Sequence, residues 1–327
     1  MSLDTAPASP SGRRLILSLG SVNIDIIAYS DALPRPGETI HASRYAMGLG
    51  GKGANQAAAA SRLAGSLGLT VELAGRTGDD AFGELARGHL AGFGVGLAAL
   101  ARDPGQPTGI ALIGVDAAGE NTVTVVGGAN MALDATDGAA IGPLLDQAAV
   151  LLLQLETPLP VSLEAARRAR RGGASGAGGA LVILDPAPAP LDGLPEEAWA
   201  LIDLVTPNET ETERLVGIRP TDPASAAVAA DRLQAKGLTR AIVKLGARGV
   251  FWRDGRESGF VPPFQVNAID SVAAGDCFNG GLAVAMARGD RFGEAVRFAA
   301  ACGALATTKR GAAEAAPTLD EVLALLG

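Results

Sequence analysis

The sequence predicts an α/β fold: a mostly parallel sheet with helices on both faces, and a small separate β-layer over it. Two observations carry this. From Val150 onward, short apolar runs alternate with helical ones, the rhythm of strand–helix units in a buried parallel sheet. Before that point, strands at 22–29, 39–46 and 109–126 have two unlike faces and do not fit the buried rhythm. They are assigned to the separate layer.

Taken in order, "RLILSLG" (14–20) is a buried strand, and "SVNIDIIAYS" (21–30) continues it with polar residues at alternate positions. "GANQAAAASRLAG" (53–65) has helix-forming composition and leads to the strand "TVELAG" (70–75). Residues 79–91 read as helix. "GIALIGV" and "NTVTVV" flank turn residues at 116–119, a hairpin. Then come "VLLLQLE", a helix, "ALVILDPAPAP", a helix, "LIDLVTPNE", two helices and "AIVKLG". The Gly-rich "GGASGAGG" (172–179) reads as a flexible loop joining helix to strand. Residues 1–13 read as a disordered leader, without the apolar stretch of a secretory signal. Residues 14–327 form one domain, with no internal repeat.

Composition narrows the function. Of 327 residues, 48% are hydrophobic, enough for a sizeable core, yet aromatics are only 4%, so Gly and Ala must provide close packing. A net charge of −8 argues against binding a nucleic-acid backbone, which needs a basic face. No apolar run reaches the roughly 18 residues of a membrane span. Cys277 and Cys302 are too few and too far apart for a zinc cluster or a disulfide framework, which points to a reducing cytoplasm.

The candidate chemistry lies in five segments. "GLGGKG" (48–53) matches a dinucleotide-binding pattern, but no buried strand precedes it and Glu72 falls mid-strand, so that reading is set aside. It is no P-loop either, because Gly follows Lys52. It remains a Gly-rich approach to a helix with Lys52 and Asn55 at its mouth, suited to hydroxyl ligands or simply to tight packing. In "SVNID", Asn23 and Asp25 share one strand face while Val22, Ile24 and Ile26 take the other. An amide beside a carboxylate suits a polyhydroxy ligand, though a solvated edge would look the same. "TPNETE" (206–211) reads locally as a capping box, with Asn208 at the cap and Glu211 three residues on. "VKLGARG" (243–249) reads locally as a strand end and tight turn.

"DSVAAGDCFNGGL" (270–282) is the most informative segment. A helix N-terminus leaves backbone N–H groups unpaired. Side chains no larger than Ala before Asp276 keep those donors open to a tetrahedral anion. A carboxylate there would repel the anion, unless it is placed to take a proton from an incoming hydroxyl. That is the arrangement for phosphoryl transfer to an alcohol.

Together, "GSVNID", "GGKGANQA", "TGDDAFGE", "QLE", "DPAPA", "TPNETE", "LGARG" and "AAGDCFNG" resemble the ribokinase-like carbohydrate kinase family, in the same order and from about residue 14 to the end. The resemblance implies a doubly wound core with a β lid that also forms a homodimer interface. It implies sugar binding by Asn23, Asp25, Gly51, Lys52, Asn55 and Glu156, with Asp276 as base and an anion hole at Ala273, Ala274 and Gly275. It implies ATP contacts at Asn208, Lys244, Gly246, Gly249 and Gly275, and Mg2+ organised through water by Glu211. A monovalent cation, K+, would be held by Asp270 with carbonyls near Val272, Ala306, Lys309 and Gly311. The plain alternative is that Lys309 neutralises a buried Asp270.

Three positions depart from the family pattern: Cys277 replaces a Thr, Ala300 an adenine-side His, and Ala315 a Ser near the monovalent cation. The expectation is an ATP-dependent kinase for the 5-hydroxyl of D-ribose. Its rivals are a kinase for another sugar or a nucleoside, and a non-catalytic sugar-binding regulator. Ala111, Ile113, Val123 and Val125 would form a compact apolar roof with little room for a nucleobase.

Overall fold

The computed structural model describes residues 12–171 and 179–327. Nearly all of the leader and of the Gly-rich loop therefore lie outside the described residues. The described strands are β1 (Leu15–Leu19), β2 (Asn23–Tyr29), β3 (Arg44–Gly50), β4 (Thr70–Gly78), β5 (Leu100–Asp103), β6 (Gly109–Val115) and β7 (Asn121–Val126). They continue with β8 (Ala148–Leu153), β9 (Leu181–Leu184), β10 (Leu204–Val205), β11 (Arg240–Lys244), β12 (Val250–Asp254) and β13 (Glu257–Val261). The helices begin with α1 (Lys52–Ala64), α2 (Ala81–Gly92), α3 (Ala135–Ala140), α4 (Gly142–Gln147), α5 (Leu159–Arg171) and α6 (Glu196–Trp199). After them come α7 (Glu209–Val216), α8 (Pro223–Ala235), α9 (Ala274–Arg288), α10 (Phe292–Ala306) and α11 (Leu319–Leu326).

Nine strands form the main sheet in the order β13-β12-β11-β10-β9-β8-β1-β4-β5. It is parallel from β5 across to β11, and the hairpin β12–β13 closes that edge antiparallel. Alternate residues feed two cores, as a period of two requires. Ile16, Val150, Leu152, Ile183 and Ile242 pack with side chains of α1, α9 and α10. Leu17, Leu151, Leu153, Val182 and Val243 pack with α4, α5, α6 and α8. Burial on both faces explains why these strands read as continuous apolar runs.

The second sheet has the order β3-β2-β6-β7. Its strand β3 corrects the expectation: it runs over Arg44–Gly50, not 39–46. Pairing with β2 runs from Asn23↔Gly50 to Tyr29↔Arg44, so the glycines at 48 and 50 are strand residues. They escaped notice because β3 is largely exposed and Gly has no side chain to mark a face. β5 and β13 were also not anticipated. The register puts Ala111, Ile113, Val123 and Val125 on the face that carries Asp25. Val123 and Val125 remain more than half exposed.

Candidate functional site

The site forms where β1 ends and the chain crosses into β2. Asn23 and Asp25 project from one face of β2, and the glycines opposite leave room for them. A Cβ on Gly50 would lie 1.9 Å from Asp25 Oδ1. Gly51 adopts φ +85°, and a Cβ there would sit 2.8 Å from Asn23 N and Ser21 O. A Cβ on Gly53 would sit 2.5 Å from the Gly20 carbonyl carbon. The glycines of "GLGGKG" thus press the start of α1 against the β1–β2 junction, the tight packing that the sequence offered as one of its two readings.

That contact points the first turns of α1 at the start of α9. Asp276 is buried, and its two oxygens accept from Asn55 Nδ2 and Gln56 Nε2, each at 3.1 Å. Gln56 Nε2 also donates to Asp185 Oδ2 at 3.0 Å, while Gln154 Nε2 holds Gln56 Oε1 at 2.9 Å. Lys244 Nζ stands 3.5 Å from Asp185 Oδ1. Glu156, after β8, accepts from Ser21 Oγ at 2.6 Å and from the Lys52 amide at 3.0 Å, both on Oε2.

Electrostatics reflect the crowding. Burial pushes the Asp276 carboxyl up to about 6, against the opposing pull of Lys52 and with a further push from Asp185. Burial also pushes Asp25 to about 6, helped by Glu156, Glu314 and Asp276. Lys52 is held above its usual range, chiefly by the Asp276 carboxylate. A buried acid that ionises near neutrality, beside a cation, suits proton transfer.

At α9, Ala273 takes a left-handed conformation, φ +55°, and no side chain caps the helix. Ala274 and Gly275 occupy its first turn, and Lys244 Nζ would lie 3.4 Å from a Cβ placed on Gly275. The Ala274 amide makes a long bond to the Ser271 carbonyl at 3.4 Å, and this uncapped helix start and a lysine converge beside Asp276.

Asn208 and Glu211 form the local capping box. Asn208 Oδ1 accepts from the Glu211 amide at 2.9 Å, and Glu211 Oε2 accepts from the Asn208 amide at 2.8 Å. The cap also faces the site: burial raises the Glu211 carboxyl, Lys244 opposes this, and Asp185 adds to it. Gly246 and Gly249, at φ +54° and +109°, shape the turn after β11.

The candidate monovalent-cation loop stands apart. Asp270 is half-buried rather than buried, at the edge of the loop before α9. It accepts from the Val272 amide at 3.0 Å and from the Gly311 amide at 3.3 Å. Lys309 does not neutralise it; that side chain pairs with Glu321 at 2.8 Å. Ala306 and its neighbours lie in the turn that ends α10, where the Thr307 carbonyl accepts from the Ile269 and Asp270 amides.

Gln56, Asp185 and Ser21 carried no role in the sequence reading. Asp185 left a signal: a charge directly after the apolar run "LVIL", at the carboxyl end of a parallel strand, where ligands of such sheets gather.

The family model for pfkB family carbohydrate kinase matches residues 13–319. The chain belongs to the pfkB carbohydrate kinase family. Within it, the chain is 38% identical to the ribokinase of Haemophilus influenzae over 314 residues, 96% of this chain and 99% of that one. It is 33% identical over 307 residues to the deoxyribokinase of Salmonella typhimurium, covering 94% and 96% of the two chains. It also matches the structure of Arabidopsis thaliana ribokinase complexed with ribose and ATP. There the TM-score is 0.85 and the identity 32%, over 96% of this chain and 98% of that one. The main sheet flanked by helices, with a smaller sheet beside it, is the ribokinase-like fold. No helix among the described residues is long and apolar enough to cross a membrane.

Proposed function

We propose that this kinase transfers the terminal phosphoryl group of ATP to the 5-hydroxyl of D-ribose. The observation that carries the reading is the buried Asp276 carboxyl, clamped by Asn55 and Gln56 beside the uncapped start of α9. Asp276 takes the hydroxyl proton as the new O–P bond forms and the bond to ADP breaks. The amides at Ala274 and Gly275, with Ala273 shaping the turn, hold the transferring group. Asn23, Asp25, Gly51, Lys52, Asn55 and Glu156 line the sugar. Asn55 Oδ1 is buried without a hydrogen-bond partner, which suits acceptance from a ligand hydroxyl. Asn208, Lys244, Gly246, Gly249 and Gly275 line the nucleotide.

The carboxyls of buried Asp185 and half-buried Glu211 are hard oxygen donors near Lys244, a set that fits Mg2+ held through water. Such an ion would neutralise phosphate charge. Asp270, bonded by backbone amides alone, with the carbonyls of Val272, Ala306, Lys309 and Gly311 near its loop, fits a monovalent cation such as K+. Buried Ala315 offers no hydroxyl to it. Residues 14–327 act as one unit with the four-stranded sheet as lid, the lid forms the homodimer interface, and the compartment is the cytoplasm, where Cys277 and Cys302 stay free thiols.

The test is phosphorylation of a panel of pentoses, 2-deoxyribose, hexoses and nucleosides by the purified protein with ATP. Ribose is expected to give the highest kcat/KM. A higher value for any other acceptor overturns the assignment, and no turnover of any acceptor favours a binding protein on the kinase fold.

A further inference from the structure

Asn130 carries no role in the assignments above. It lies in the short turn Gly128–Ala132 after β7 and is 1% exposed. Its Oδ1 accepts from the Val22 amide at 2.8 Å. A backbone amide can only donate, so this bond fixes which end of the Asn130 side chain is oxygen. Its Nδ2 therefore faces the Val22 carbonyl at 3.1 Å and Asn23 Oδ1 at 2.8 Å.

The constraint passes to Asn23. The atom that meets a donor must accept, so the Asn23 oxygen points to Asn130 and its Nδ2 points away. Asn23 Nδ2 donates to no other group among the described residues. Gly109 makes room for the contact, since a Cβ there would lie 2.2 Å from Asn23 Oδ1 and 2.3 Å from Asn130 Nδ2. The turn itself is anchored. Arg76 of β4 donates to the Ala132 carbonyl at 2.8 Å and pairs with Asp103 and Asp137.

We propose that Asn130 is a positioning residue that sets the polarity of the sugar contact, making Asn23 present an N–H donor instead of a carbonyl. The proposal rests on the reading of Asn23 as a sugar ligand. Beside it, ionised Asp25 can only accept. The pair offers one donor and one acceptor on the same strand face, a match for adjacent hydroxyls that both give and receive hydrogen bonds. With the Asn23 amide turned over, the row would hold acceptors only, and hydroxyl lone pairs would meet an oxygen.

Asn130→Asp tests this directly. An aspartate keeps an acceptor for the Val22 amide but offers Asn23 no donor, so the Asn23 amide turns over. The ribose KM is expected to rise about ten- to one-hundred-fold, the effect of one unmatched polar contact, while kcat and the ATP KM change little. A purely structural Asn130 predicts otherwise. Asn130→Asp would then keep the wild-type ribose KM, and Asn130→Ala would lose both thermal stability and affinity; that pattern overturns the proposal. Asn23→Asp supplies a second route should the first variant fail to fold. It keeps the bond from Asn130, shows an oxygen to the sugar, and is expected to raise the ribose KM equally. An unchanged KM in Asn23→Asp overturns the polarity claim. Should the wild type leave ribose untouched, the ribose assignment fails alone, and the same variants are measured on the best acceptor of the panel. The proposal then stands or falls on that KM.

Discussion

The base role proposed for Asp276 comes with a cost to folding. Its carboxyl ionises at about 6 in the folded chain, against 3.8 for an ordinary aspartate. A raised acid destabilises the fold where it is charged, above about pH 6, and adds no such cost below about pH 4. The shift corresponds to roughly 3 kcal/mol at neutral pH, from about 1.4 kcal/mol per unit. Asp276→Asn removes that cost but leaves one amide N–H facing Asn55 or Gln56, offsetting about 1–2 kcal/mol. Thermal melts are therefore expected to show the variant gaining on the wild type between pH 4 and pH 8, while its kcat falls roughly 10²–10⁴-fold. Turnover within tenfold of wild type would remove Asp276 from the base role. Asp25 also titrates near 6. In the wild type, kcat/KM should then fall below about pH 6 with a slope steeper than one proton, because both carboxylates are needed. A single-proton limb would mean that only one of them must be ionised.

At the scale of elements, the site depends on how closely α1 meets the β1–β2 junction. Ala57, Ala58, Ala59 and Ala60 are fully buried in the helix body, and its entry is set by Gly51 and Gly53. Gly53→Ala must push the helix away from the Gly20 backbone. Overpacking of this kind costs about 1–3 kcal/mol, and here it also shifts Asn55 and Gln56 off Asp276. Chemical denaturation should show the stability loss, and kcat should fall with it. Full activity in a destabilised Gly53→Ala would separate packing from function. The loop from α10 to α11 makes a further prediction. Replacing K+ by a bulky organic cation at constant ionic strength is expected to lower kcat, and an unchanged rate would exclude a monovalent cation at Asp270.

The whole molecule leaves part of its lid bare. Tyr45, Met47, Leu112 and Val126 are exposed on the face of the small sheet turned away from Asp25, a concentration of apolar surface. The proposed homodimer, with a second copy of the chain covering that face, would account for it. Sedimentation should find twice the mass of one chain for the wild type and a single-chain mass for Leu112→Lys with Val126→Lys. A monomeric wild type at micromolar concentration would end that reading.

The sequence by itself was enough for the inner strands of the buried sheet, though not for its edge strands β5 and β13. Strands covered on both faces must be apolar throughout, and the residues that break such a run stand at the site. It singled out Asp276 too, which lies buried at the uncapped start of α9, because small residues before a carboxylate in a first helical turn have few structural uses. It missed the true span of β3, where glycines carry no pattern. It placed Asp270 in a buried setting and offered it Lys309, yet Lys309 found Glu321 twelve residues along. Gln56, Asp185 and Asn130 were also beyond its reach. Gln56 meets Asp276 across 220 positions of sequence, and Asn130 meets Asn23 across 107. Hydrogen-bond polarity is decided by the partner, and only the folded chain brings the partner within hydrogen-bonding distance.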